Sequence, residues 1–315
     1  MKDMYIASCA DEGGIYHYQT DGEKVIQKQF YPIPNPMYLE RKGNRLYAVL
    51  RHSFEKGESC IVSFTLDENG DLADQSGIIP TGGREGCHLA VTDSGVFVSN
   101  YTSGSVFRTP DLLVRHQGSS INAERQEMAH PHCTTLTPDG KYICVADLGM
   151  DRIILYDRNL EKISETPVTE GFGPRHIAFS EDGRRMYCVC ELSSMVCSFL
   201  YDDGKLSYEK CASALPDDFC GESAAAAIRI KKDRLYTSNR GHDSIAVFDI
   251  GNGTMKLLET VPCGGSFPRD FNILDDLLVC TNELGNSVTF FDLKNKIPCR
   301  LPFSCEMVRP LCVVF

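Results

Sequence analysis

The sequence predicts an all-β chain, a seven-bladed β-propeller of four-stranded blades spanning residues 1–315, with the ring closed by both termini. Three observations predict it. A segment recurs with a period of roughly 43 residues. Strand-like runs and Asp-Gly turns fill each copy. An incomplete copy at the C-terminus is matched by the missing strands at the N-terminus.

The clearest repeats are residues 130–147 and 173–190. Each opens with a Pro-led apolar strand, turns at Asp139-Gly140 or Asp182-Gly183, and returns in a strand rich in Tyr, Val and Cys. Asp-Gly tolerates the positive φ of tight hairpin turns, so these aspartates are structural. A third alternating strand follows at 152–156, 195–199, 244–248 and 287–291, and an outer strand often comes next, as at 202–206. Degenerate copies begin near Pro36, Gly86, Ala225 and Pro268. The seventh copy is split. Residues 309–315 read as its first strand, and 4–7 and 14–18 as the strands that complete it. Pairing the termini removes two exposed sheet edges.

Net charge is −11, and the acidic residues are spread along the chain. That balance opposes binding to nucleic acid or anionic membranes, and an anionic ligand then requires a local basic pocket. No run of about 18 apolar residues occurs, so no membrane helix is expected. The N-terminus lacks the apolar stretch of a secretory signal. Fifteen cysteines, an odd number placed mostly inside strands, read as small hydrophobes in a reducing cytoplasm. No Cys-x-x-Cys or zinc-like His/Cys spacing appears, and neither metal nor cofactor is expected. A monomer or weak homodimer is expected.

Equivalent residues of propeller blades converge on the central channel, so differences between copies point to a site. The residue after each blade opener reads Met37, Cys87, His132, Arg175, Ala226, Arg269 and Leu311. The next reads Tyr38, His88, Cys133, His176, Ala227, Asp270 and Cys312. The second strands end at Arg51, Tyr101, Leu148, Glu191, Arg240 and Glu283. A lone arginine at a turn is ordinarily a surface ion pair. Arginines at matching positions beside His and Glu instead suggest an anion pocket with acid/base capacity. The residues so marked are His88, His132, Arg175, His176, Glu191, Arg240, Arg269 and Glu283.

Several stretches carry a family resemblance across essentially the whole chain. They include Gly86-Cys-His-Leu-Ala-Val, Asn100-Tyr-Thr-Ser-Gly-Ser-Val, Arg125-Gln-Glu-Met-Ala-His-Pro-His132, Gly173-Pro-Arg-His-Ile-Ala, Glu191-Leu-Ser-Ser and Asn239-Arg-Gly-His-Asp-Ser. With these motifs the chain resembles the propeller-type lactonases, a family that includes 6-phosphogluconolactonases and the fungal 3-carboxy-cis,cis-muconate lactonising enzyme. The resemblance implies catalytic roles for His132, Arg175, Glu191 and Arg240, with His88, His176, Arg269 and Glu283 contacting substrate. It implies hydrolysis of a sugar lactone, most simply 6-phospho-D-glucono-1,5-lactone, an anionic small molecule, without a metal. A lactonising or isomerising reaction on a dicarboxylate could use the same arginines, and a non-catalytic binding propeller is the alternative from another class. The chain departs from the family pattern at Arg51, Ala227 and Glu283, where pocket acids are lost or gained.

Overall fold

A computed structural model describes residues 1–52 and 57–315. Among the described residues there is no α-helix, and the strands form seven antiparallel sheets. The innermost strands are Pro36–Lys42, Gly86–Thr92, Pro131–Leu136, Pro174–Phe179, Ala224–Lys231, Pro268–Leu274 and Pro310–Val314. Each contacts the next around a closed ring, the last returning to the first.

The blade built from both termini is ordered Pro310–Val314, Lys2–Ser8, Gly14–Thr20, Val25–Pro32. Its seam pairs Tyr5 with Val314, Ile6 with Val313 and Ala7 with Cys312, as the split repeat predicts. One blade differs from the expected four strands. After its outer strand Leu72–Gln75, a short fifth strand, Ile79–Pro80, pairs with Cys60–Leu66. Ser76 causes the division: its N–H donates to the Ser63 carbonyl at 2.7 Å while its hydroxyl accepts from the Ser63 N–H at 2.8 Å. The chain is pinned there and then rejoins the same partner strand.

Apolar side chains alternate along each strand and bury between adjacent sheets. One hydrophobic cluster fills each gap between neighbouring blades, giving seven among the described residues. Cys144, Cys188, Cys190 and Cys197 are fully buried in one of them, and all fifteen cysteines are free. Each thiol there fills a small apolar space.

Candidate active site

Two devices repeat around the ring and aim side chains at one mouth of the channel. The first is a β-bulge, which leaves one residue out of the ladder and re-aims its side chain. The register shifts just after the opener in all seven innermost strands. The residues released include His132, Arg175 and Arg269. The second is a hydrogen bond closing six of the seven blade ends. The carbonyls of Asn35, Glu85, His130, Gly173, Phe267 and Arg309 accept the N–H groups of Arg51, Tyr101, Leu148, Glu191, Glu283 and Cys9. Five of these six acceptor residues have positive φ, His130 being the exception. At Gly173 the positive φ of +67° is joined by a close approach, since a Cβ would stand 2.7 Å from the Leu192 side chain, and glycine avoids both costs.

These devices, with Arg240 at the end of the ladder of its own blade, bring His132, Arg175, Glu191 and Arg240 together. Arg175 Nε and Arg240 Nη2 each lie 2.9 Å from Glu191 Oε2, and His132 Nε2 lies 3.9 Å from the same oxygen. Arg125, which the blade alignment does not mark, donates to Glu191 Oε1 at 2.6 Å and to the Tyr101 hydroxyl at 3.4 Å. It sits on the long connection between Leu112–Arg115 and Pro131–Leu136. Buried Asp151 ties that connection down: its carboxylate accepts from Ser120, Gln126, Gly171 and Gly173. The same carboxylate thus fixes both Arg125's loop and the glycine before the Arg175 bulge.

Glu191 and Arg175 are almost wholly buried, while Arg125 is 44 % exposed. Burial pushes the Glu191 carboxyl up, but Arg240, Arg175, His132 and Arg125 outweigh it and hold it well below the usual carboxylate range. Burial and Arg175 push the His132 imidazole well below its ordinary value, with Glu191 opposing. His132 is therefore neutral at pH 7, and its Nδ1 has no hydrogen-bond partner among the described residues. Burial and Arg240 pull Arg175 down to about 10, still cationic. Arg175 Nη1 is committed to the protein, donating to the Ala226 carbonyl at 2.8 Å and to His176 Nε2 at 3.1 Å.

Arg269 and Glu283 form a second group beside the first. Glu283 receives Arg269 at 3.1 Å and Arg309 at 3.0 Å, the latter another arginine the alignment misses. Arg51 pairs with Glu85 at 2.5 Å. Six arginines and three glutamates leave this mouth net positive on an acidic protein. His88 and His176 are not in this layer. They lie deeper, their ring centroids 5.1 Å apart, packed with Tyr38 and Cys133 beneath Arg175.

A family model for the seven-bladed β-propeller lactonases matches residues 3–315. The chain belongs to this lactonase family. An uncharacterized Staphylococcus epidermidis protein is 34% identical over 321 residues, covering 92% of each chain. Among solved structures, a Bacteroides fragilis protein provisionally assigned as a 6-phosphogluconolactonase superposes with a TM-score of 0.90 at 26% identity, over 99% of this chain and 97% of its own. A Bacteroides uniformis protein with the same provisional assignment gives 0.89 at 28%, over 99% and 98%. Within this lactonase propeller, no helix among the described residues is long and apolar enough to cross a membrane.

Proposed function

We propose that the protein hydrolyses a sugar lactone, most simply 6-phospho-D-glucono-1,5-lactone to 6-phosphogluconate, at the arginine-rich mouth of the channel. One observation carries this reading: a neutral imidazole, His132, stands beside a carboxylate, Glu191, that three arginines keep ionised. The lactonase family membership and the provisional 6-phosphogluconolactonase neighbours support the reaction class. The net positive mouth favours an anionic substrate.

In this reading His132 is the general base. A carboxylate held strongly ionised is a weak base, whereas a neutral imidazole has a lone pair to accept a proton. His132 takes a proton from water as the oxygen attacks the lactone carbonyl. The guanidinium groups of Arg240 and Arg175 stabilise the oxyanion of the tetrahedral intermediate, and Glu191 stabilises the imidazolium that has formed. Collapse breaks the bond to the ring oxygen, which takes the proton back from His132 and leaves as a hydroxyl. Arg125 and Arg309, each about half exposed at the rim, meet the substrate's phosphate.

The fifteen free thiols favour a reducing, cytoplasmic location. The test of the reaction is acid release from a panel of phosphorylated and neutral aldonolactones, corrected for spontaneous opening. Acceleration greatest for the phosphorylated δ-lactone is expected. Equal background rates for every lactone contradict the proposal.

A further inference from the structure

A repeated contact rims the arginine mouth. At four blade junctions the residue before an opener reaches back to the end of the preceding blade's second strand. Glu85 pairs with Arg51 at 2.5 Å, and Arg309 with Glu283 at 3.0 Å. The His130 ring stacks on Tyr101 with centroids 4.3 Å apart. Where the strand-end residue of the first two junctions is charged, the next blade thus supplies the opposite charge.

At the fourth junction the strand-end residue is Arg240, and the position that would hold an acid holds Phe267. The guanidinium carbon stands over the Phe267 ring, 5.2 Å from its centroid. That is within range of a cation–π interaction, which holds a cation by its face and uses up none of its N–H donors. Two nitrogens of Arg240 are engaged elsewhere. Nε donates to the Ala224 carbonyl at 3.1 Å, and Nη2 reaches the Ala225 carbonyl at 3.1 Å and Glu191 Oε2 at 2.9 Å. Nη1 has no partner among the described residues and, unlike His132 Nδ1, is not sealed from solvent.

The backbone of Phe267 lies in the left-handed region, with φ +63°, which is costly for a bulky side chain. Two hydrogen bonds hold it there. Its N–H donates to Asp243 Oδ1 at 2.7 Å, and its carbonyl accepts the Glu283 N–H at 3.0 Å. Asp243 Oδ1 also accepts the N–H of Gly241, the residue after Arg240, at 3.2 Å. One carboxylate oxygen therefore ties Phe267 to the turn that follows Arg240. The ring is not there to fill the core: it is partly exposed and belongs to none of the seven hydrophobic clusters. Glycine suits this backbone better, and Gly173 occupies the matching position of another blade at φ +67°. What Phe267 adds is the ring over Arg240.

We propose that Phe267 is a positioning residue, whose ring fixes the plane of the Arg240 guanidinium and leaves Nη1 free for the oxyanion of the tetrahedral intermediate. That role rests on the lactone-hydrolysing reading of the mouth. An acid at position 267 would do to Arg240 what Glu85 does to Arg51 and neutralise it. The oxyanion exists only beyond the ground state, so the contribution of the ring falls on kcat and not on KM.

Steady-state hydrolysis of 6-phospho-D-glucono-1,5-lactone tests it, at equal folded concentration of wild type, Phe267→Gly, Phe267→Leu, Phe267→Tyr, Arg240→Ala and the Phe267→Leu/Arg240→Ala double variant. Phe267→Gly removes the ring without backbone strain, and Phe267→Leu keeps an apolar side chain without a π face. Each should lower kcat about three- to thirtyfold with KM within about twofold of wild type. Phe267→Tyr keeps the ring and should stay within about twofold of wild type in kcat. In the Arg240→Ala background Phe267→Leu should change kcat by less than about twofold, since its effect passes through the guanidinium. Wild-type kcat in both Phe267→Gly and Phe267→Leu, alongside a loss in Arg240→Ala, overturns the positioning role and leaves the reaction standing. So does a Phe267→Tyr variant as impaired as Phe267→Leu, an effect confined to KM, or a loss from Phe267→Leu that is undiminished without Arg240. Wild-type hydrolysis at the spontaneous rate overturns the reaction and the positioning role together.

Discussion

His132 Nε2 lies 3.9 Å from Glu191 Oε2, and both side chains are buried. The separation is too long for a hydrogen bond in the resting state. It is short enough for strong attraction once the imidazole carries a proton. In the proposed mechanism Glu191 therefore stabilises the protonated form of His132, and its contribution to turnover would lie there.

His132→Gln should lower kcat by roughly a hundred- to ten-thousandfold, the usual contribution of a positioned base, with KM little changed. Wild-type activity should be flat above pH 6.5 and decline only at more acid pH, because burial and Arg175 depress the imidazole's proton affinity. The residual activity of the variant should lack that acid limb. Rate profiles from pH 4.5 to 8 check both expectations.

Arg240→Ala removes a buried guanidinium that touches Glu191 and the Ala224 and Ala225 carbonyls. Loss of one charge-assisted contact to substrate corresponds to about 1.5–3 kcal/mol, or ten- to a hundredfold in kcat/KM. Arg125→Ala should cost less, because the side chain is partly in solvent. Its effect should shrink further with added salt and should be larger for phosphorylated than for neutral lactones. Steady-state kinetics at two salt concentrations separate the two arginines.

Stability should fall on acidification below pH 6.5. Burial holds His132 and His176 neutral well below that pH, and burial with Arg229 and Arg175 holds His88 down to about 3. The unfolded chain takes up protons that the folded one excludes, so each histidine removes about 1.4 kcal/mol per pH unit as the pH drops. Glu40 works the other way between pH 4.5 and 7, where the folded state holds its proton and the unfolded state releases it. It offsets one of the three histidines. Urea unfolding at pH 7.5 and 5.5 measures the net loss, and His88→Gln should make the slope shallower by one proton.

Deleting residues 309–315 removes the innermost strand of the blade shared by the termini. It exposes the backbone edge of Lys2–Ser8, and Cys312 and Val313 leave the clusters on either side. The truncated chain should melt far below the full one or fail to fold. Equal melting temperatures contradict ring closure.

The fold was legible because the repeat shows both strand number and closure: the second and third strands that residues 309–315 lack run through 4–18. The fifth strand at Ile79–Pro80 was not, since a serine pinning the chain leaves no periodic signal. His132, Arg175 and Arg269 were legible because the bulge follows the opener in every copy. Arg125 was hidden on a connection outside the repeat, and Arg309 in the turn before an opener. Alignment places a residue around the ring and does not reveal its depth. His88 and His176 therefore aligned with the site while packing a layer beneath it.

The central claim is that His132, Glu191 and the arginines around them form a lactone-hydrolysing site. The most direct measurement is kcat/KM for 6-phospho-D-glucono-1,5-lactone, compared between wild type, His132→Gln and Arg240→Ala at equal folded concentration. The account predicts hydrolysis well above the spontaneous rate in wild type and losses of about tenfold or more in each variant. Wild-type hydrolysis at the spontaneous rate, or three indistinguishable proteins, would contradict it.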